Sequence, residues 1–153
     1  ELGLTNKFVI GHVGAFREQK NHKFLLDVFS KLDIPNAELV LVGDGNLREK
    51  IETRTKELGI QNKVKFLGSR NDINRVLQGF DLFVMPSLWE GLSVSAVEAQ
   101  ASGLRLILSK NVSHSIKVTS NVQFLNLNNI DVWINEIKKP QQLHIKEKMN
   151  LNQ

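Results

Sequence analysis

Six short runs rich in Val, Ile, Leu and Phe recur along this chain, at Phe8–Val13, Glu38–Val42, Val64–Leu67, Leu82–Met85, Leu106–Ser109 and Val122–Leu125. Each has the length of a strand buried on both faces, and the stretches between them carry helical rather than alternating periodicity. Phe24, Leu25, Val28, Phe29 and Leu32 make one apolar stripe, Leu47, Ile51 and Leu58 a second, and Ile130, Trp133, Ile134 and Ile137 a third after the Asn128–Asn129 pair. Strand and helix therefore alternate. Parallel neighbours need crossover connections, so the expected fold is α/β, a Rossmann-like parallel sheet of about six strands with helices on both faces.

Punctuation agrees with this division. Gly59 follows the second helix and Gly103 follows a helix running from about Ser93 to Ser102, each where a left-handed cap is wanted. Within that helix Val94, Val97 and Ala101 read as the buried stripe. Pro140 stops the last apolar helix ahead of a polar stretch expected to be helical. With 153 residues, 41% of them hydrophobic, and no internal repeat or long linker, the whole of 1–153 reads as a single domain. The chain opens on Glu1, so a piece of a longer protein is expected.

Composition narrows the chemistry. The absence of cysteine removes disulfides, thiolate nucleophiles and cysteine-based zinc sites. No basic, then apolar, leader and no run of about eighteen apolar residues is present. The net charge of +4 comes from Lys and Arg interleaved with Glu, as in Arg48, Lys50, Arg54 and Lys56 beside Glu49, Glu52 and Glu57. The few aromatics fit core stripes and strands, so a nucleic-acid surface of clustered cations and stacking rings is not expected. His12, His22, His114 and His144 lack metal-ligand spacing and read as structural or solvated, with His12 close to the crevice.

In an open parallel sheet ligands sit outside the carboxyl ends of the strands, at the switch in strand order, so the residue after each strand is the one to question. The first strand runs into Gly14-Ala15-Phe16-Arg17-Glu18-Gln19-Lys20-Asn21. This is either an anion-binding turn, with Gly14 allowing close approach and Arg17 and Lys20 supplying charge, or an ordinary turn with solvated cations. Gly43-Asp44-Gly45-Asn46 lacks the Lys-Ser/Thr ending of a phosphate loop and reads as a tight turn and helix cap. Gly68 to Arg70 could meet a nucleobase edge, although Asn71 or Asp72 capping a short helix accounts for the same residues. The fourth strand ends in Pro86-Ser87-Leu88-Trp89-Glu90-Gly91-Leu92-Ser93 and enters the helix bearing Glu98. Gly91 permits backbone approach, the N–H groups of Leu92 and Ser93 complement negative charge, and Glu90 and Glu98 can accept from hydroxyls; an acid near a helix start is equally ordinary helix design.

At these residues the chain resembles the GT4 family of retaining glycosyltransferases, whose carboxy-terminal domain carries a Glu-x7-Glu signature, here Glu90-Gly91-Leu92-Ser93-Val94-Ser95-Ala96-Val97-Glu98. Val13-Gly14-Ala15-Phe16 with Lys20-Asn21, Leu41-Val42-Gly43-Asp44-Gly45, Val64-Lys65-Phe66-Leu67-Gly68, Pro86-Ser87 and Glu98-Ala99-Gln100-Ala101-Ser102-Gly103 stand in the family's order. The wording is similar to bacterial capsule and exopolysaccharide transferases. The resemblance implies one half of a GT-B fold: a donor lobe for a nucleotide diphosphate sugar, a UDP-sugar by the family's habit. An amino-terminal lobe outside this chain would hold a saccharide or lipid-linked acceptor. Isolated, such a lobe is expected to bind donor and transfer nothing.

Carried over by position, Glu90 is the catalytic candidate beside the donor sugar, Glu98 holds ribose hydroxyls, Gly91, Leu92, Ser93 and Val94 offer backbone N–H groups, and Lys20 meets the diphosphate, with Gly14, Arg17 and Arg70 as further donor-binding candidates. The family implies no metal and no cofactor, and no Asp-x-Asp motif stands at a strand end. It also implies the cytoplasm, with a place at the inner face of the membrane for a lipid-linked acceptor. One departure matters: Ala15 stands where the family has Arg, and Arg17 could substitute by reaching back. Without a substitute, a lost charged hydrogen bond costs about 1.5–3 kcal/mol, which makes a degenerate or regulatory nucleotide-sugar lobe the alternative. Ser93 stands where many relatives have Gly.

Overall fold

The computed structural model describes residues 6–139; Pro140, the polar stretch after it and His144 lie outside them. The elements in order are β1 (Phe8–Val13), α1 (His22–Ser30), β2 (Ala37–Val42), α2 (Arg48–Glu57), β3 (Val64–Gly68), α3 (Ile73–Leu77), β4 (Leu82–Met85), α4 (Val94–Ala101), β5 (Arg105–Ser109), β6 (Val122–Leu125) and α5 (Ile130–Ile137). The strands form one six-stranded sheet in the order β3-β2-β1-β4-β5-β6, and every pairing is parallel.

The apolar runs of the central strands conceal a period of two. Leu39 and Leu41 of β2, Leu82 and Val84 of β4 and Ile107 of β5 face a core shared with Leu25 and Leu26 of α1, Ile51 of α2 and Trp133 of α5. Their neighbours Val40, Val42, Phe83, Met85, Leu106 and Leu108 face a second core with Val76 and Leu77 of α3 and Ala96 and Ala99 of α4. Because both faces are covered, neither can be polar, and the runs lose their alternation. Each fully buried Val, Leu or Ile contributes about 1.5–3 kcal/mol.

Helix α4 departs from the stripe read in the sequence. Val94 is 64% exposed, Ala101 is exposed and Val97 only half-buried, whereas Ser93, Ala96, Ala99 and Gln100 are buried. Small side chains let this helix lie close against β5 in the second core, while Val94 is turned to solvent and Val97 packs at the core's edge. Gln100 is held in the interior because its amide is satisfied: it donates to the Ile116 carbonyl (2.9 Å) and accepts from Val118 N (2.8 Å). The glycine stops behave as expected, with φ of 70° at Gly59 and 78° at Gly103.

Strands β1 and β4 mark the switch in strand order, and they are in register only at Ile10↔Leu82 and Gly11↔Phe83. Gly11 is required there, since a Cβ would overlap the Phe80 ring. Beyond Gly11 the two strands part, and the His12 ring spans the gap, Nδ1 donating to the Val84 carbonyl at 2.9 Å. In an open parallel sheet the crevice lies at such a switch, here between the Gly14–Asn21 loop and the Pro86–Ser93 loop that follow the two strands.

Candidate functional site at the strand switch

The two loops that border the crevice are tied together by bonds between residues about seventy positions apart. Gln19 Nε2 donates to the Trp89 carbonyl (3.0 Å), Leu88 N to the Gln19 carbonyl (2.8 Å) and Asn21 Nδ2 to the Pro86 carbonyl (3.0 Å). Asn21 takes φ 60°, a left-handed conformation that ends the Glu18–Lys20 3-10 turn and starts α1. That reversal returns Lys20 to the crevice, where its Nζ lies 2.7 Å from Glu90 Oε2. Ser87 Oγ donates to the same oxygen at 3.2 Å.

Lys20 and Glu90 expose only 16% and 10% of their side chains. Glu90 is also fixed through its backbone on the opposite side, its N–H donating to the Asn111 carbonyl (3.3 Å) and its carbonyl accepting from Ser113 N (2.9 Å). The loop after β4 is thus clamped between the loop after β1 and the exit of β5. Just past the clamp the chain is open: a Cβ at Gly91 would meet nothing within 4 Å, Leu92 is 75% exposed and Trp89 58%.

Ser93 caps α4, its Oγ accepting from Ala96 N at 3.2 Å, and it lies buried with the Ser95 hydroxyl 3.1 Å away. Ser95 in turn donates to the Val13 carbonyl (3.3 Å), which joins the start of α4 to the end of β1. The amino end of α4 therefore points into the crevice with Gly91 and Leu92 leading into it, an arrangement that favours an anion. Glu98, one turn further along, is half-buried, and its carboxylate has neither a hydrogen bond nor an ion pair among the described residues.

The structure brings Gly14, Lys20, Glu90, Gly91, Leu92, Ser93 and Val94 to this crevice and leaves Arg17 and Arg70 outside the network. Arg17 is exposed and lines a cavity of about 780 Å³ between α1 and α2, with His22, Lys50 and Arg54. Arg70, at the end of β3, is held as a two-pronged pair by Asp72 (Nε to Oδ1 and Nη2 to Oδ2, both 2.8 Å). The Arg70 hydrogen bonds, ahead of other influences, lower the Asp72 carboxyl to about 2. Asp72 occupies the N-cap position of α3 without making a side-chain cap, because its carboxylate is already committed to Arg70.

The Gly43–Asn46 segment is a turn, as read, but not a cap: α2 begins at an uncapped Leu47. Gly45 is needed because its backbone lies against Phe16, a Cβ there falling 2.7 Å from the Phe16 carbonyl oxygen. The sequence reading assigned no role to Ser87 or Gln19, nor to the ring stack of His12, His22 and Phe16 beneath Lys20. The rings of His12 and His22 meet edge-on at 4.8 Å, and those of Phe16 and His22 at 4.6 Å. Burial, chiefly, lowers His12 to about 4 and His22 to about 2, so both are neutral under the crevice.

The family model described as "Glycosyl transferases group 1" matches residues 1–139. The chain belongs to this family. It is 43% identical over 114 residues to the Bacillus subtilis protein EpsF, a match covering 73% of this chain and 30% of that one. It is 34% identical over 144 residues to the Escherichia coli "UDP-Gal:alpha-D-GlcNAc-diphosphoundecaprenol alpha-1,3-galactosyltransferase", covering 89% of this chain and 37% of the relative. The chain thus spans about a third of the length of these relatives. Among solved structures, Anabaena Alr3699/HepE in complex with UDP-glucose superposes with a TM-score of 0.80 at 25% identity, over 96% of this chain and 42% of that one. The doubly covered parallel sheet is the fold expected for one half of a GT-B enzyme. Among the described residues no helix is long and apolar enough to cross a membrane.

Proposed function

We propose that this chain is the donor-binding lobe of a retaining glycosyltransferase that moves a sugar from a UDP-sugar to a polysaccharide or lipid-linked acceptor. The observation that carries the reading is the switch-point crevice itself, where the enclosed Lys20, the open backbone at Gly91 and the amino end of α4 converge beside Glu98, whose carboxylate has no partner among the described residues. The diphosphate lies along Gly14 and the Gly91–Val94 backbone, with Lys20 and the α4 dipole balancing its charge as the bond to the sugar breaks. Glu98 accepts from the ribose hydroxyls, and Glu90 stands beside the sugar. No metal is assigned in this reading. UDP-glucose in the Anabaena structure and the UDP-Gal of the E. coli relative's name support the choice of nucleotide. An amino-terminal lobe would carry the acceptor, at the cytoplasmic face of the membrane for a lipid-linked one; the one-third coverage of the relatives supports that division.

Calorimetric titration with UDP, GDP, ADP and their sugar conjugates tests this. Saturable binding of UDP, weakened about tenfold to a hundredfold by Glu98→Ala, is expected, because the ribose loses hydrogen bonds to a charged acceptor. Binding that Glu98→Ala leaves unchanged would refute the assignment of Glu98. A second reading, a lobe that has kept the fold and lost the chemistry, draws on Ala15 together with the position of Arg17 in the α1–α2 cavity, where it does not restore the missing cation. Absence of nucleotide binding would favour it.

A further inference from the structure

We infer that Glu90 sets the preference of this crevice for an intact nucleotide sugar over the free nucleotide, by competing with the diphosphate for Lys20. The inference rests on the donor-lobe reading and adds to it a role for the Lys20–Glu90 ion pair.

The Lys20 ammonium is already paired. It lies 2.7 Å from Glu90 Oε2, with both side chains largely enclosed, and Ser87 Oγ steadies that same oxygen from behind at 3.2 Å. A diphosphate approaching Lys20 meets a charge already neutralised, and a carboxylate stands within a few ångströms of where the phosphate oxygens must go. Coulombic repulsion between like charges at that spacing is strong at the dielectric of a half-enclosed crevice. A diphosphate that takes up the remaining Lys20 N–H donors therefore competes with Glu90 for the same charge and weakens the pair.

What becomes of Glu90 decides the specificity. When the bound nucleotide carries a sugar, the released carboxylate can accept from sugar hydroxyls past the open backbone at Gly91, where a Cβ would meet no atom of the described residues within 4 Å other than its chain neighbours. When the nucleotide is free UDP, the carboxylate keeps only the Ser87 hydroxyl as a side-chain donor and stands beside a diphosphate. The ion pair thus penalises free UDP and spares UDP-sugar, which favours donor capture and release of the spent nucleotide.

Ser87 gives a handle outside the ligand's reach. It is fully buried, so it cannot touch a nucleotide, yet it helps hold Glu90 in the paired position. Removing its hydroxyl loosens the pair without changing any charge in the crevice.

The test is the affinity of the chain for UDP and for UDP-glucose in the unaltered protein and in Glu90→Gln, Ser87→Ala and Lys20→Met, by calorimetry, with thermal melts to confirm folding. Glu90→Gln is expected to tighten UDP by about tenfold while UDP-glucose stays level or weakens. Ser87→Ala is expected to tighten UDP about twofold to fivefold, and Lys20→Met to lose both ligands. The inference is overturned if Glu90→Gln leaves UDP affinity unchanged, or moves UDP and UDP-glucose together in either direction. UDP binding that is saturable but insensitive to Glu90→Gln refutes this inference and leaves the donor-lobe reading standing. No UDP binding by any of the four proteins refutes that reading, and the inference with it.

Discussion

His22→Phe is expected to make the fold markedly less sensitive to acid. His22 is 3% exposed, lies edge-on to the Phe16 and His12 rings, and finds no partner for either ring nitrogen among the described residues. Its burial, then the neighbouring His12 and Lys20, lower its pKa from 6.5 to about 2. His12 is lowered to about 4, again by burial first; its bond to the Val84 carbonyl and the nearby Glu90 oppose the shift, and Lys20 adds to it. Both rings are therefore neutral in the folded chain at pH 5, while in the unfolded chain both are protonated. A folded-state pKa depressed below the unfolded value means that the unfolded state binds more protons, so stability falls as pH drops below about 6.5 and continues to fall until each folded-state pKa is reached.

Between pH 7 and pH 5 each histidine costs about 2 kcal/mol, so the pair costs about 4 kcal/mol, a large part of the 5–15 kcal/mol typical of a domain. Phenylalanine keeps an aromatic ring against Phe16 and has no nitrogen to leave unpaired. At pH 7 the variant should be as stable as the parent or more so, and between pH 7 and pH 5 it should lose about 2 kcal/mol less than the parent. Urea melts of both proteins at the two pH values measure this difference directly, and contributions from carboxylates common to both cancel. Parallel losses in the two proteins, within about 0.5 kcal/mol, would refute the claim that His22 is buried neutral.

Two further outcomes concern the loops and the core. Gly43 has φ +131°, and a Cβ there would collide with the Gly14 carbonyl oxygen, so Gly43→Ala should destabilise the chain by about 3 kcal/mol or more and displace the loop that carries Lys20. Chemical denaturation and UDP titration of that variant check both effects. Trp133 is fully buried, its Nε1 donates to the Asn126 carbonyl (2.7 Å) and its ring meets Phe24 edge-on at 5.2 Å. Trp133→Ala should cost about 3–5 kcal/mol and Trp133→Phe clearly less, as read from equilibrium unfolding.

Local patterning carried much of this protein. Short runs rich in apolar residues at Leu82–Met85 and Phe8–Val13, set between helical stripes, specify strands of a doubly covered sheet because a parallel strand hides both faces and needs a crossover. Gly59 and Gly103 mark helix ends because only a residue without Cβ sits easily at positive φ. The Glu90 to Glu98 spacing is legible because it lies within one strand-to-helix passage.

What the sequence could not carry is which separate segments meet. Lys20 and Glu90 become partners only because the order β3-β2-β1-β4-β5-β6 sets β1 beside β4, a long-range choice with no trace in local periodicity. The same holds for Ser87 behind Glu90 and for the clasp of Gln19 on Trp89. Arg17 and Arg70 looked available because a cation in a turn reads as free, yet a neighbouring carboxylate holds Arg70 and the loop's direction turns Arg17 toward α2. On α4, hydrophobicity pointed to Val94, Val97 and Ala101, of which Val97 alone packs against the core, at its edge, whereas closeness of approach to the sheet selected Ala96 and Ala99. Residue type fixes what a position can tolerate; burial, pairing and the switch-point crevice follow from strand order and interhelical distance, which are properties of the packed chain.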